Sequence, residues 1–150
     1  MQIFIDADGC PVVKNTITIA KSSGIKVTVV ADTAHFFKLD YGTLITVSTD
    51  ADSADFKIAN LIKHGDILVT QDYGLAAMAL SRGARVLNQD GLIFTNENID
   101  ALLLSRHESA KLRRSGVRTK GPKKRTSSQT ESFEHALVGL IKGVTTNSIE

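Results

Sequence analysis

Two aspartates one residue apart, Asp6 and Asp8, follow an apolar run at the start of the chain, in F-I-D-A-D-G-C-P. A carboxylate pair at the end of a buried strand is costly unless a cation meets it. Mg²⁺ or Mn²⁺ is the natural partner, because such ions prefer oxygen ligands and can organise a phosphodiester and its attacking water. Asp55 and Asp72 are the further candidates, giving a catalytic set of Asp6, Asp8, Asp55 and Asp72. Three or four of these carboxylates converging on one edge would need such a cation, with Asp52 as a reserve ligand. Each has a plainer reading as well. Asp8 precedes Gly9 as a turn residue would, Asp55 suits the first turn of a helix, and Asp72 is a good helix cap. Asp50 reads as loop solvation and Asp90 as a turn, while Asp66 precedes a strand and stands at the wrong edge. Cys10, the single cysteine, has no histidine placed to activate it and reads as a packed small residue.

The elements that would position these groups alternate. Strands are predicted over residues 2–5, 26–31, 44–47, 66–70 and 85–87, from β-prone apolar runs. Helices are predicted after Pro11 as far as Gly24, over 53–63 and over 73–82. A short helix or loop falls around 35–39. Such alternation implies right-handed crossovers and a mostly parallel sheet in an α/β fold. Ligands of such sheets bind outside the carboxyl ends of the strands, where the strand order switches. Asp6, Asp8, Asp55 and Asp72 all fall beyond strand ends on that criterion.

The 150 residues read as one domain. Residues 1–95 would form the core, 96–117 a helix capped by Asn96, 118–130 a basic mobile loop, and 131–143 a last helix. No apolar run is long enough to span a bilayer, and a cytoplasmic protein is expected. A lone cysteine excludes an intramolecular disulfide and a cysteine-based zinc site.

The formal charge of +2 hides an asymmetry. Residues 1–105 carry eight lysines and arginines against twelve acids, whereas 106–125 carry nine against Glu108 alone. An acidic body with a basic arm suits a polyanion partner, RNA or another nucleic acid. The candidate phosphate contacts are Arg113, Arg114, Arg118, Lys120, Lys123, Lys124 and Arg125. No aromatic residue lies between His107 and Ser132, so binding there would be by charge and would weaken with salt.

F-I-D-A-D-G-C-P (4–11), S-A-D-F-K-I-A (53–59), G-D-I-L-V-T-Q-D-Y-G-L-A (65–76) and R-R-S-G-V-R-T-K-G-P (113–122) together resemble the bacterial YaiI/YqxD family of uncharacterised proteins. The resemblance implies a three-layer PIN-like α/β fold, with a mostly parallel sheet of order about 3-2-1-4-5 and C-terminal helices. PIN domains are metal-dependent ribonucleases with an acid after the first strand, one on a middle helix and one after the fourth strand. Those positions match Asp6, Asp55 and Asp72, which the resemblance makes the expected metal ligands with Asp8 and Asp52 in reserve, while Asp8 belongs to the family's own D-x-D pattern. Lys123-Lys124-Arg125 departs from it by being more basic.

The leading expectation is therefore a Mg²⁺- or Mn²⁺-dependent endoribonuclease hydrolysing phosphodiesters. One alternative is a non-catalytic nucleic-acid-binding protein. Another is a phosphatase similar to the haloacid dehalogenases with Asp6 as nucleophile, although the turn into a helix at Pro11 leaves no room for their customary hairpin.

Overall fold

Residues 2–6 alternate between two buried faces. Ile3 and Ile5 enter one hydrophobic cluster and Phe4 the other. This is the signature of a central strand covered on both sides. The computed structural model describes residues 1–33, 38–50, 52–116 and 124–147. The strands are β1 (Gln2–Asp6), β2 (Lys26–Asp32), β3 (Thr43–Val47), β4 (Ile67–Val69), β5 (Arg85–Leu87) and β6 (Ile93–Phe94). The helices are α1 (Val13–Ser23), α2 (Ser53–Leu61), α3 (Tyr73–Ser81), α4 (Asn96–Arg114) and α5 (Ser127–Asn147).

Among the described residues the sheet has six strands in the order β3-β2-β1-β4-β5-β6. The α/β fold and the 3-2-1-4-5 order agree with the sequence reading. β1 pairs in parallel with both β2 and β4, so the strand order switches between β1 and β4. Right-handed crossovers that leave in opposite directions place their helices on opposite faces. Accordingly α1 and α5 cover one face through Val13, Ile17, Phe133 and Leu137. On the other face lie α2, α3 and α4, through Ile58, Leu75, Ala76 and Ile99. Burying Phe4 alone contributes roughly 1.5–3 kcal/mol.

Four details differ from the sequence expectation. β6 was not foreseen; it is two residues long and antiparallel to β5, too short to show a period. The helix after Pro11 begins at Val13, because a turn closed by Cys10 N–H on the Ala7 carbonyl takes up the preceding residues. The cap of α4 is Thr95 rather than Asn96. Only Thr95 has a partner three residues on, Asn98, that returns the hydrogen bond to the cap's own N–H. The last helix starts at Ser127, so the expected loop over 118–130 and helix over 131–143 are redrawn at that boundary. Residues 34–37, and with them much of the segment expected around 35–39, lie outside the described residues.

Candidate active site

The period of two along β1 sends Asp6 towards the α2–α3 face at the carboxyl edge of the sheet. Asp72, just beyond β4, caps α3 by accepting from Leu75 N–H at 3.1 Å. Asp6 and Asp72 thus stand on either side of the strand-order switch. Asp55 projects from the first turn of α2. These three and Asp8 line one cleft of about 240 Å³, together with Asp32, Asp50 and Asp52. Among the described residues seven aspartates therefore border a single opening.

Thr70, buried at the end of β4, organises the centre. Its hydroxyl donates to Asp6 Oδ2 at 2.8 Å, and its Oγ1 accepts from Asp72 N–H at 3.0 Å. Asp8 Oδ2 accepts from Asp32 N–H at 3.0 Å, which ties the loop after β1 to the end of β2. Asp52 occupies the left-handed region at φ 67° and precedes α2 without a side-chain cap, leaving its carboxylate at the cleft. Aspartate tolerates that conformation better than most residues.

The electrostatics follow from crowding. Burial, and then the charges of Asp72 and Asp6, push the Asp55 carboxyl up to about 7. A shared hydrogen bond with Asp72 and the charge of Asp52 act in the same direction. Asp6 is raised above the ordinary carboxylate value, chiefly by burial and further by Asp72 and Asp8, against the lowering effect of the Thr70 hydrogen bond. Such a donor set suits a hard divalent cation, which would relieve the repulsion. As the side chains are placed, however, no three His, Cys, Asp or Glu among the described residues converge closely enough to hold a metal ion. The carboxylates share an opening without closing on one point.

Sequence reasoning missed Asp32 and set Asp50 aside. Asp32 closes the strand next to β1, and the edge criterion, applied to β2 as well, finds it. Asp66 is absent from the cleft and instead caps the opposite edge, accepting from Gln2 N–H and Lys63 N–H. Cys10 is half-buried against the α1–α5 core.

The basic residues divide. Arg113 and Arg114 are exposed at the end of α4, and Lys124 is exposed. Arg118, Lys120 and Lys123 lie outside the described residues. Arg125 is committed internally. It donates from Nη1 to Asp90 Oδ1 and from Nη2 to the Gln89 carbonyl, both at 2.6 Å. Arg125, expected as a phosphate contact, here forms a strut between the turn after β5 and the start of α5. Asp90, read as a turn residue, is its partner.

Fold and cleft together define an α/β protein with an aspartate-lined opening at the carboxyl edge of a mostly parallel sheet. Within that class the chain belongs to the family described as uncharacterized BCR, YaiI/YqxD family, whose model matches residues 4–143. It is 52% identical over 141 residues to a UPF0178 protein of Exiguobacterium sibiricum, covering 94% of this chain and 96% of that one. It is 46% identical over 145 residues to a UPF0178 protein of Enterococcus faecalis, covering 95% and 98%. No solved structure matches the chain. Among the described residues, no helix is long and apolar enough to cross a membrane.

Proposed function

We propose that this chain is a cytoplasmic, metal-dependent nuclease of PIN-like type that hydrolyses RNA phosphodiesters. The observation that carries the reading is the meeting of Asp6, Asp55 and Asp72, from three separate elements, at one cleft. There burial, and then the charges of Asp72 and Asp6, push the Asp55 carboxyl up to about 7.

Asp6, Asp55 and Asp72 would hold Mg²⁺ or Mn²⁺ once their side chains turn inward from the separate positions described above, with Asp8 and Asp52 as reserve ligands. When bound, the ion supplies Lewis acidity to the phosphoryl oxygens and a lowered pKa to the attacking water. Thr70 fixes the Asp6 carboxylate by its hydrogen bond. Asp55 gives up its proton when a cation enters, so metal affinity rises with pH. Asp8, held at one oxygen by Asp32 N–H, orients the attacking water as a base.

The test is a calorimetric Mn²⁺ titration of the wild type beside Asp72→Asn. Asparagine also caps helices, so the variant keeps α3 while removing one charge. Saturable binding, weakened at least roughly tenfold by the substitution, is expected for a lost charged ligand. Equal weak binding, or none in either protein, would leave Asp72 as a helix cap and sink the reading. Where the ion binds, Asp6→Asn should abolish Mn²⁺-dependent RNA cleavage with the fold intact.

A further inference from the structure

Beside the aspartates, on the far side of Asp72, lies a second groove of about 710 Å³. Its floor is Gln71 and Tyr73, and its wall is the face of α4 that carries Ser105, Arg106, Ser109 and Arg113. Gln71 and Tyr73, which line it, flank Asp72, which lines the acidic cleft. We infer that this groove binds the sugar–phosphate backbone of a single-stranded polynucleotide, holding the strand that runs on from the aspartate cleft. The position of the reacting phosphate rests on the nuclease reading; binding in the groove does not.

Three observations carry the inference. The first is preorganisation. Tyr73 packs edge-on against Phe94 with ring centroids 5.6 Å apart, and the Arg106 guanidinium lies 5.8 Å from the centre of the Tyr73 ring. An arginine held on an aromatic face keeps its donors available while losing less freedom on binding. Gln71 is fixed as well, donating from Nε2 to the Gly9 carbonyl at 2.7 Å.

The second is charge. The body of the chain is acidic, yet among the described residues no carboxylate forms an ion pair with Arg106 or Arg113. Both arginines are exposed, and the hydroxyls of Ser105 and Ser109 stand on the same wall.

The third is spacing. Residues 105, 106, 109 and 113 share one helix face. Arg106 and Arg113 are two turns apart, roughly 10 Å along the axis. Two guanidiniums so spaced along one face can engage neighbouring phosphates of an extended backbone. The hydroxyl and guanidinium donors on this face suit phosphate and sugar oxygens rather than base edges.

Fluorescence anisotropy with labelled single-stranded RNA and DNA dodecamers, in EDTA, tests the groove apart from any chemistry. The double variant Arg106→Gln/Arg113→Gln should bind at least tenfold more weakly. Its slope of log affinity against log salt should be shallower by about 1.4, the equivalent of two phosphate contacts on a single strand. Lys111→Gln removes a charge from the same helix outside the groove and should cost less than about threefold. Wild-type binding to RNA, DNA or both that the double variant loses supports the groove and shows which sugar it accepts. A double variant that binds like the wild type, a Lys111→Gln loss as large as the double variant's, or a wild type that binds neither strand would each overturn it. The two proposals separate cleanly. If arginine-dependent binding accompanies a lack of Mn²⁺ affinity, the groove stands and the nuclease reading falls. If Asp6-dependent cleavage persists with full affinity in the double variant, the groove falls and the nuclease stands.

Discussion

The Thr70 hydroxyl donates to Asp6 Oδ2 at 2.8 Å, and the same oxygen accepts the backbone N–H of Asp72 at 3.0 Å. One buried side chain thus couples the carboxylate at the end of β1 to the start of α3, across the switch in strand order. Thr70→Val keeps the shape but removes both bonds. It leaves the Asp72 N–H without this acceptor and a crowded carboxylate without its donor. A loss of about 1–3 kcal/mol in urea unfolding is expected. The Asp6 carboxyl should also titrate higher still, which carboxyl-labelled NMR would register. An unchanged unfolding midpoint would mean the bond is not formed in solution.

The aspartate cleft should make the metal-free protein lose stability as pH rises. A carboxyl at 3.8 in the unfolded chain and about 7 in the fold binds more protons when folded throughout that interval. Stability from Asp55 is therefore full below pH 3.8, declines as pH rises towards 7, and levels off above. Asp55→Asn removes this dependence. Its melting temperature should exceed that of the wild type at pH 8 and approach it at pH 5. The reverse order would contradict the crowding described above.

Arg125 should report on stability rather than on polyanion binding. Its guanidinium holds Asp90 and the Gln89 carbonyl, and charge-assisted bonds of this kind are worth about 1.5–3 kcal/mol when sheltered. The pair is partly exposed, so Arg125→Met should cost about 1–2 kcal/mol in denaturant unfolding. Asp90→Asn should cost a similar amount, and the double variant less than the sum. Strict additivity would show that the two side chains do not interact.

Two glycines with nearly the same left-handed φ should respond differently to alanine. At Gly91 (φ 87°) the new methyl would meet the Ser132 carbonyl at 2.6 Å, a backbone atom of α5 that cannot swing away. At Gly83 (φ 82°) it would meet the His64 ring at 2.6 Å, a side chain that can rotate. Conformational strain alone costs about 1–2 kcal/mol at either site. Gly91→Ala should exceed that and loosen α5, whereas Gly83→Ala should stay near it. Equal losses in thermal unfolding would show that α5 yields as readily as the ring.

Much of the architecture was legible in local pattern. The apolar runs of β1, β2 and β4 are buried on both faces, and the Gly24 and Gly83 stops fall where helices end. The exceptions are local competitions. Thr95 outranked Asn96 because a capping box needs a reciprocal partner. β6 escaped because two residues show no period. At the site, Asp32 was overlooked because it was read only as the end of a strand.

The sequence by itself determined the α/β class and the edge at which Asp6 and Asp72 emerge, because strands alternating with helices run parallel and share one carboxyl edge. The strand order followed from the resemblance of its motifs to a known family. Only the tertiary structure decided what those side chains meet. It joined Thr70 to Asp6, residues 64 positions apart. It spent Arg125 on Asp90 while leaving Arg106 over Tyr73 at a groove. A charge run in sequence cannot distinguish those fates. Whether a guanidinium faces a carboxylate, an aromatic ring or water depends on the packing of elements that are distant along the chain.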